Sequence, residues 1–125
     1  MKRLLSILGI IVFTSIFTSC GDSNLLTNPI SGQEFEVAKK DFSNSMTLDD
    51  AKKACHELGD GWRLPTKYEL NEMYKNKEEI GGFVVDYYWS STETNVGAWG
   101  KNFDGGRELC YIYLNPLKVR AVRSL

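Results

Sequence analysis

The sequence predicts an α+β domain, and three observations carry that reading. Apolar residues recur at helical spacing in two stretches between Thr47 and Asn76, each opened by a Thr with the signature of a helix cap. From Phe83 onward the pattern changes to short aromatic and β-branched runs separated by Gly, Asp, Asn and Pro. Helical runs followed by strand runs, without strict alternation, belong to the α+β class. With 125 residues, 42% hydrophobic and 12% aromatic, the chain has enough apolar material for one packed domain and is not a disordered composition. Fifteen basic residues against 16 acidic ones give a formal net charge of −1, so the excess that binds a phosphate backbone is missing and nucleic acid is not an expected partner.

The first segment reads as an address. Lys2 and Arg3 precede an apolar run over residues 4–17, which ends at Thr18, Ser19 and Cys20. A charged start, a short apolar stretch and small residues describe a secretory signal. The run is shorter than the ~20 residues of a spanning helix. Cys20 directly after Thr-Ser resembles the bacterial lipobox, with Phe17 where Leu is more usual. Residues 1–19 are thus expected to be a lipoprotein signal peptide, and Cys20 the lipidated first residue of the mature chain. An ordinary secretory signal with an incidental Cys, or an uncleaved anchor, are the alternatives. Several acyl tails on Cys20 would hold firmly where one holds marginally. The implied location is the bacterial cell envelope, lipid-anchored at the outer membrane and facing the periplasm or the surface, with the membrane as a partner through that lipid. Loss of residues 1–19 leaves 13 bases and 16 acids, a formal −3. Residues 20–34 read as the lipidated Cys and a flexible Gly-, Ser-, Asn- and Pro-containing tether reaching on the order of 20 Å. Residues 35–125 are then the globular domain, small enough that a covalent staple would help it.

Within that domain, Phe35-Glu36-Val37-Ala38 alternates and predicts a strand. Thr47 predicts a helix N-cap with Asp50 three residues on, and Leu48, Ala51, Cys55 and Leu58 form one apolar stripe. Gly59 suits the position after the helix, and Asp60-Gly61 continues the turn. In Trp62-Arg63-Leu64-Pro65-Thr66, Pro65 biases Leu64 toward extended backbone. Thr66 with Glu69 forms a full capping box for a second helix ending near Asn76, its buried face being Leu70, Met73 and Tyr74. Residues 75–79 read as a solvated charged stretch, broken by Gly81-Gly82. Strands are predicted over residues 87–92, 98–103, 109–114 and 117–122, with Asp104-Gly105-Gly106 as a turn. Asn115-Pro116 predicts either a loop longer than two residues or a cis bond.

Pairing the last two strands so that residue numbers sum to about 231 puts Cys110, Ile112 and Leu114 on one face with Leu117, Val119 and Ala121. That face is expected in the core. The other carries Tyr111, Tyr113, Lys118 and Arg120, the best candidates for a ligand-binding patch, with a covered second sheet face as the equal alternative. Besides Cys20, the cysteines are Cys55 and Cys110. An exported protein permits a disulfide between them, and closing a loop of about 56 residues stabilises by about 4 kcal/mol in the chain-entropy model. Two buried unpaired thiols are the alternative. No Cys-x-x-Cys is present, so redox catalysis is not expected.

Gly61-Trp62-Arg63-Leu64-Pro65-Thr66, Glu69-Leu70, Tyr88-Trp89-Ser90-Ser91-Thr92, Ala98-Trp99 and Val119-Arg120-Ala121-Val122-Arg123 occur in that order. This series resembles the bacterial DUF1566 family and is similar to the C-terminal domain of the Legionella collagen-like adhesin. That family is related in fold to C-type lectins and, more distantly, to the formylglycine-generating enzymes. The resemblance implies a C-type-lectin-like fold, with two helices packed on a curled antiparallel sheet. It implies structural roles for Trp62, Arg63, Leu64, Pro65, Trp89, Ser90, Ser91, Trp99, Arg120 and Arg123. It also implies a Cys in the last strand paired with the first-helix Cys. Ala121 holds that place here, and in the register above Cys110 would lie opposite it, which would move the bridge to the neighbouring strand.

The catalytic and metal constellations of these relatives are not expected. The Glu-Pro-Asn, Gln-Pro-Asp and Trp-Asn-Asp signatures of lectin calcium sites do not occur, and the acids are scattered, whereas calcium takes six to eight oxygens. His56, the one histidine, neighbours Cys55 in sequence, but adjacent helical residues diverge by ~100°, so a nucleophile–base pair is not expected. Zinc is not expected either, because ligands are short. No cofactor and no metal are therefore expected. Arg63 and Arg120 are expected to tie loops or strands through charge-assisted hydrogen bonds. The leading expectation is a non-catalytic, envelope-anchored binding module for an extracellular glycan or a protein. A structural or assembly lipoprotein docking on an envelope protein is the second, and an enzyme distantly akin to the formylglycine-generating enzymes the third.

Overall fold

The computed structural model describes residues 24–125. Residues 1–19, expected to be a signal peptide, and Cys20 lie outside the described residues. In chain order the elements are β1 (Leu25–Thr27), β2 (Glu34–Val37), α1 (Leu48–Glu57), α2 (Lys67–Lys75), the single-turn α3 (Lys77–Ile80), β3 (Tyr87–Glu93), β4 (Gly97–Asn102), β5 (Glu108–Ile112) and β6 (Val122–Ser124). They build two antiparallel sheets, β1-β2-β6 and β3-β4-β5, so the first described strand and the last share one sheet.

Both long helices begin where a side chain satisfies an orphan N–H. Thr47 Oγ1 accepts from the Asp50 N–H at 3.4 Å, and α1 buries Leu48, Ala51 and Cys55. Leu58 lies just past α1 and is exposed, and Gly59 takes the left-handed φ of 74° that ends the helix. Thr66 and Glu69 cap α2 reciprocally, at 3.1 and 3.0 Å, and Leu70 and Met73 face inward. Residues 75–79 are not simply solvated, because Lys77–Ile80 closes one helical turn before Gly81 and Gly82, both at left-handed φ, redirect the chain.

The core divides in two. α1 packs on Trp89, Ala98, Val119 and Ala121, while α2 packs on Phe35, Val37, Tyr88, Phe103 and Val122. Two backbone latches join the quoted motifs. Ser91 donates its N–H to the Pro65 carbonyl at 2.7 Å, and Arg63 exchanges N–H and carbonyl with Val122 at 2.7 and 2.8 Å. Trp89 Nε1 donates to the Met46 carbonyl at 2.7 Å and Ser90 Oγ to the Trp99 carbonyl at 2.7 Å, so these polar groups are satisfied inside. Arg123 pairs with Glu36 at 2.8 Å and lies over the Trp62 ring.

Three expectations are corrected. The tether expected over residues 20–34 is, from Asn24 onward, part of the domain. Leu25–Thr27 pairs with Glu34–Val37, and Asn28 Oδ1 accepts the N–H groups of Ile30 and Ser31 in the connecting turn. The Asn, Pro and Gly that read as flexibility are hairpin residues. Second, residues 109–114 and 117–122 do not pair with each other. β5 pairs with β4, setting Cys110 opposite Trp99 and Tyr111 opposite Ala98. Residues 117–121 instead thread between the 38–46 loop and β3, with Phe42 N–H to Val119 O at 3.0 Å and Trp89 N–H to Lys118 O at 3.0 Å. Leu117, Val119 and Ala121 are buried as expected, but Arg120 and Val122 are buried too, and Cys110, Ile112 and Leu114 face solvent. Ala98 and Gly100 leave room over the inner face that Tyr111 fills: a Cβ at Gly100 would stand 2.9 Å from Leu117 Cδ1 and 3.2 Å from the Tyr111 ring. Third, the Cys55–Cys110 disulfide is not formed. Both thiols are free, Cys55 buried and Cys110 exposed. Ala121 lies in the same apolar cluster as Cys55.

Candidate functional site

The expected patch of Tyr111, Tyr113, Lys118 and Arg120 does not assemble. Tyr111 turns inward, its ring 5.2 Å from that of Tyr87 and 6.5 Å from Trp89. Lys118 is half-buried in its bridge to Tyr88. Tyr113 alone is freely exposed, beside Asp49, Lys52 and Glu93 at the start of α1. Arg120 is sealed inside. Its Nε donates to Asp41 Oδ1 at 2.6 Å, its Nη1 to the Ala38 carbonyl at 3.0 Å and its Nη2 to the Gly81 carbonyl at 3.2 Å, under the Phe83 ring. The Tyr88 hydroxyl donates to the other Asp41 oxygen at 2.6 Å. Burial first, and then that hydrogen bond to a carboxylate, push the Tyr88 hydroxyl pKa well up. This is a strut.

Arg63 is a strut of the same kind. It grips Glu69 through two bonds of 2.7 and 3.0 Å, while Glu69 also accepts from the Thr66 N–H and from Asn28 Nδ2. Burial alone would raise the Glu69 carboxyl, but the Arg63, Thr66 and Asn28 donors outweigh it and hold the pKa below its ordinary value.

A cleft of about 370 Å³ lies between α2 and the outer face of the β3-β4-β5 sheet, lined by Lys67, Tyr68, Asn71, Lys101, Gly106 and Glu108. The Thr66 cap places Lys67 and Tyr68 in the first turn of α2, and Asn71 follows one turn later on the same side. Strand alternation turns Trp99 and Lys101 of β4 to the face opposite Ala98 and Gly100, and the register brings Glu108 beside Lys101. Lys67 Nζ lies 4.5 Å from the Trp99 ring centroid and 5.6 Å from that of Tyr68. Lys101 forms the floor, its side chain only 6% exposed. Its Nζ donates to the Gly106 carbonyl at 2.9 Å, lies 3.8 Å from Glu108 and sits 5.1 Å from the Tyr74 ring. Burial lowers the Lys101 pKa, an effect that Glu108 partly offsets. Aromatic faces, an amide, a carboxylate and two ammonium groups thus converge on one concave surface. Such a set can stack on and hydrogen-bond a polar ligand.

None of Lys67, Tyr68, Asn71, Lys101 or Glu108 was a sequence candidate. The alternation Trp99-x-Lys101 beside Ala98-x-Gly100 was the available signal, because small residues mark the covered face of β4. Of the three tryptophans, Trp89 is a core anchor, Trp62 backs Arg123, and Trp99 borders the cleft beneath Lys67. His56 is exposed on α1. Among the described residues no three His, Cys, Asp or Glu side chains gather as a metal site would require, and no helix is long and apolar enough to cross a membrane.

No protein-family model matches the chain, and no curated protein does. Among solved structures, the crystal structure of botrocetin is similar: it is 14% identical, with 82% of this chain and 97% of that one covered, at a TM-score of 0.51. Botrocetin has a C-type-lectin-like fold. At that identity the likeness is one of fold, and it places this mixed α+β architecture beside the C-type-lectin-like domains.

Proposed function

We propose that the protein is a non-catalytic binding module of the bacterial cell envelope. In this reading it is anchored by lipid on Cys20 and holds an extracellular glycan in the cleft between α2 and the β4–β5 face. The observation that carries it is the convergence of Lys67, Tyr68, Asn71, Lys101 and Glu108 on one open concavity of the described domain, with the Trp99 ring beneath Lys67 at its border. Aromatic planes beside amide and charged groups suit a ring that is apolar on its faces and hydroxylated at its edge. The lectin-like fold of its structural neighbour and the DUF1566-like motif series support a binding role over an enzymatic one. The motif residues Arg63, Ser90 and Arg120 are absorbed in internal bonds, which leaves recognition to residues outside the motifs, with Trp99 the one motif residue at the border of the cleft.

The test is a titration of the protein against an array of extracellular polysaccharides, with the Tyr68→Ala and Asn71→Ala variants in parallel. Both residues lie on the outer side of α2, so each variant should fold normally and lose about tenfold or more in affinity, as removal of one stacked or hydrogen-bonded contact does. Absence of any glycan signal, or equal binding by wild type and both variants, overturns the assignment. Acylation is tested separately: the Cys20→Ser variant should leave the detergent phase in which the wild type partitions.

A further inference from the structure

We propose that two copies of this chain pair edge to edge through β5 and that the pair is locked by a Cys110–Cys110 disulfide. β5 is an edge strand, since its sheet runs β3-β4-β5. The bonds from Asn102 N–H to Arg107 O at 2.8 Å and from Tyr113 N–H to Val96 O at 3.1 Å set the phase of its ladder. Alternate residues of an antiparallel strand turn both backbone groups to the same neighbour. Leu109 and Tyr111 therefore point both groups at β4, as do the Arg107 carbonyl and the Tyr113 N–H, while Glu108, Cys110 and Ile112 point theirs outward. An exposed edge that no charge or proline interrupts at its centre is a template for another strand.

Its outward groups are self-complementary under a two-fold axis. With Cys110 opposite Cys110 of the second copy, the two residues exchange N–H and carbonyl, and each Ile112 N–H reaches the Glu108 carbonyl of the other chain. The Ile112 carbonyl is already engaged by the Asn115 N–H at 3.0 Å. Glu108 faces Ile112 of the other copy, so like charges do not meet, and the exposed Leu109 and Ile112 are covered. The same register sets the sulfur chemistry. A hydrogen-bonded antiparallel pair has Cα atoms about 5.5 Å apart, within the span of a disulfide. Cys110 is exposed while Cys55 is buried. Formation proceeds by thiol–disulfide exchange with a small-molecule disulfide. Two Cys110 thiols lose two protons and two electrons, one S–S bond forms between the chains, and the small molecule leaves as two thiols. Because the two-fold axis stands normal to the sheet, both clefts open on the same side, an arrangement suited to a ligand with repeated units. The pairing itself does not depend on what the cleft binds.

The test uses the full chain, reduced and then exposed to oxidised glutathione, followed by non-reducing gel and sedimentation velocity. The expected product is a reducible species of twice the chain mass, lost in Cys110→Ser. Ile112→Glu, which places a carboxylate opposite Glu108 of the second copy, should slow its formation roughly tenfold, while Ile112→Lys should not. Three results overturn the proposal: a glutathione adduct on Cys110 without dimer, equal dimerisation by Cys110→Ser, or cross-linking of Ile112→Glu at the wild-type rate.

Discussion

Arg120 and Lys101 are both buried cations, and their surroundings differ in kind. Arg120 has a fully covered side chain, spends its donors on a carboxylate at 2.6 Å and two carbonyls, and stacks on Phe83. Lys101 makes one bond to a carbonyl, and its carboxylate neighbour stands at 3.8 Å. A guanidinium has a fixed fork of donors that one pocket can saturate, whereas an ammonium with a single close acceptor keeps donors in reserve. The Arg120 region therefore behaves as a structural joint between the 38–42 loop, the Gly81 turn and the 117–121 segment. The Lys101 region behaves as the floor of a site that still has bonds to make.

Substitution of the two cations breaks or sharpens this contrast. The largest effect is expected for Arg120→Ala, which strands the Asp41 carboxylate and opens the joint. Loss of one partner of a buried pair costs about 3–5 kcal/mol, readable as a fall in the urea midpoint at an unchanged slope. Glu69→Gln should cost less, about 2 kcal/mol, because Arg63 is about a third exposed and Gln keeps the cap to Thr66. That difference carries a pH signature. The folded Glu69 pKa lies below its ordinary 4.5, so the pair stabilises fully above that value and loses its contribution as pH falls through the folded pKa. Stability curves of wild type and Glu69→Gln should accordingly run apart near neutrality and converge as the pH falls through the lowered folded pKa. Parallel curves down to low pH would refute the role given to the charge.

Lys101→Met should have the smallest effect on stability, within about 1 kcal/mol of wild type and of either sign. It exchanges a desolvated ammonium for an apolar chain of similar length and frees Glu108, whose side chain is 35% exposed. Glycan affinity should nevertheless fall. A large loss of stability in Lys101→Met would make Lys101 a joint like Arg120 and remove the distinction.

Much of the local structure was legible. Thr47 and Thr66 announce both long helices because a hydroxyl three residues before a free N–H is a local bond, and Gly59 and Gly81 stop helices because left-handed φ is cheap only for glycine. The strands β3 and β4 also declare themselves, β3 through an aromatic run followed by Ser and Thr and β4 through small residues around Trp99. The segment before Phe35 was misleading because Asn28, Pro29 and Gly32 serve equally in a linker and in a hairpin turn, and only pairing with β2 separates the two. The cleft was less legible still. Its residues come from α2, β4, the Gly106 turn and β5, and no motif spans that distance in sequence.

Composition and spacing alone determined the class, the capped helices, the order of strand-forming runs and the burial of Leu117, Val119 and Ala121. These rest on bonds and contacts within a few residues. Only the tertiary structure decided which strands pair, which face of β5 turns inward, and hence that Cys110 is exposed, Arg120 enclosed and Lys101 at the base of a cleft. A strand offers two edges and two faces, and the choice among them is made by packing partners far along the chain: here the space above Ala98 and Gly100, which takes Tyr111 and leaves Cys110 outside.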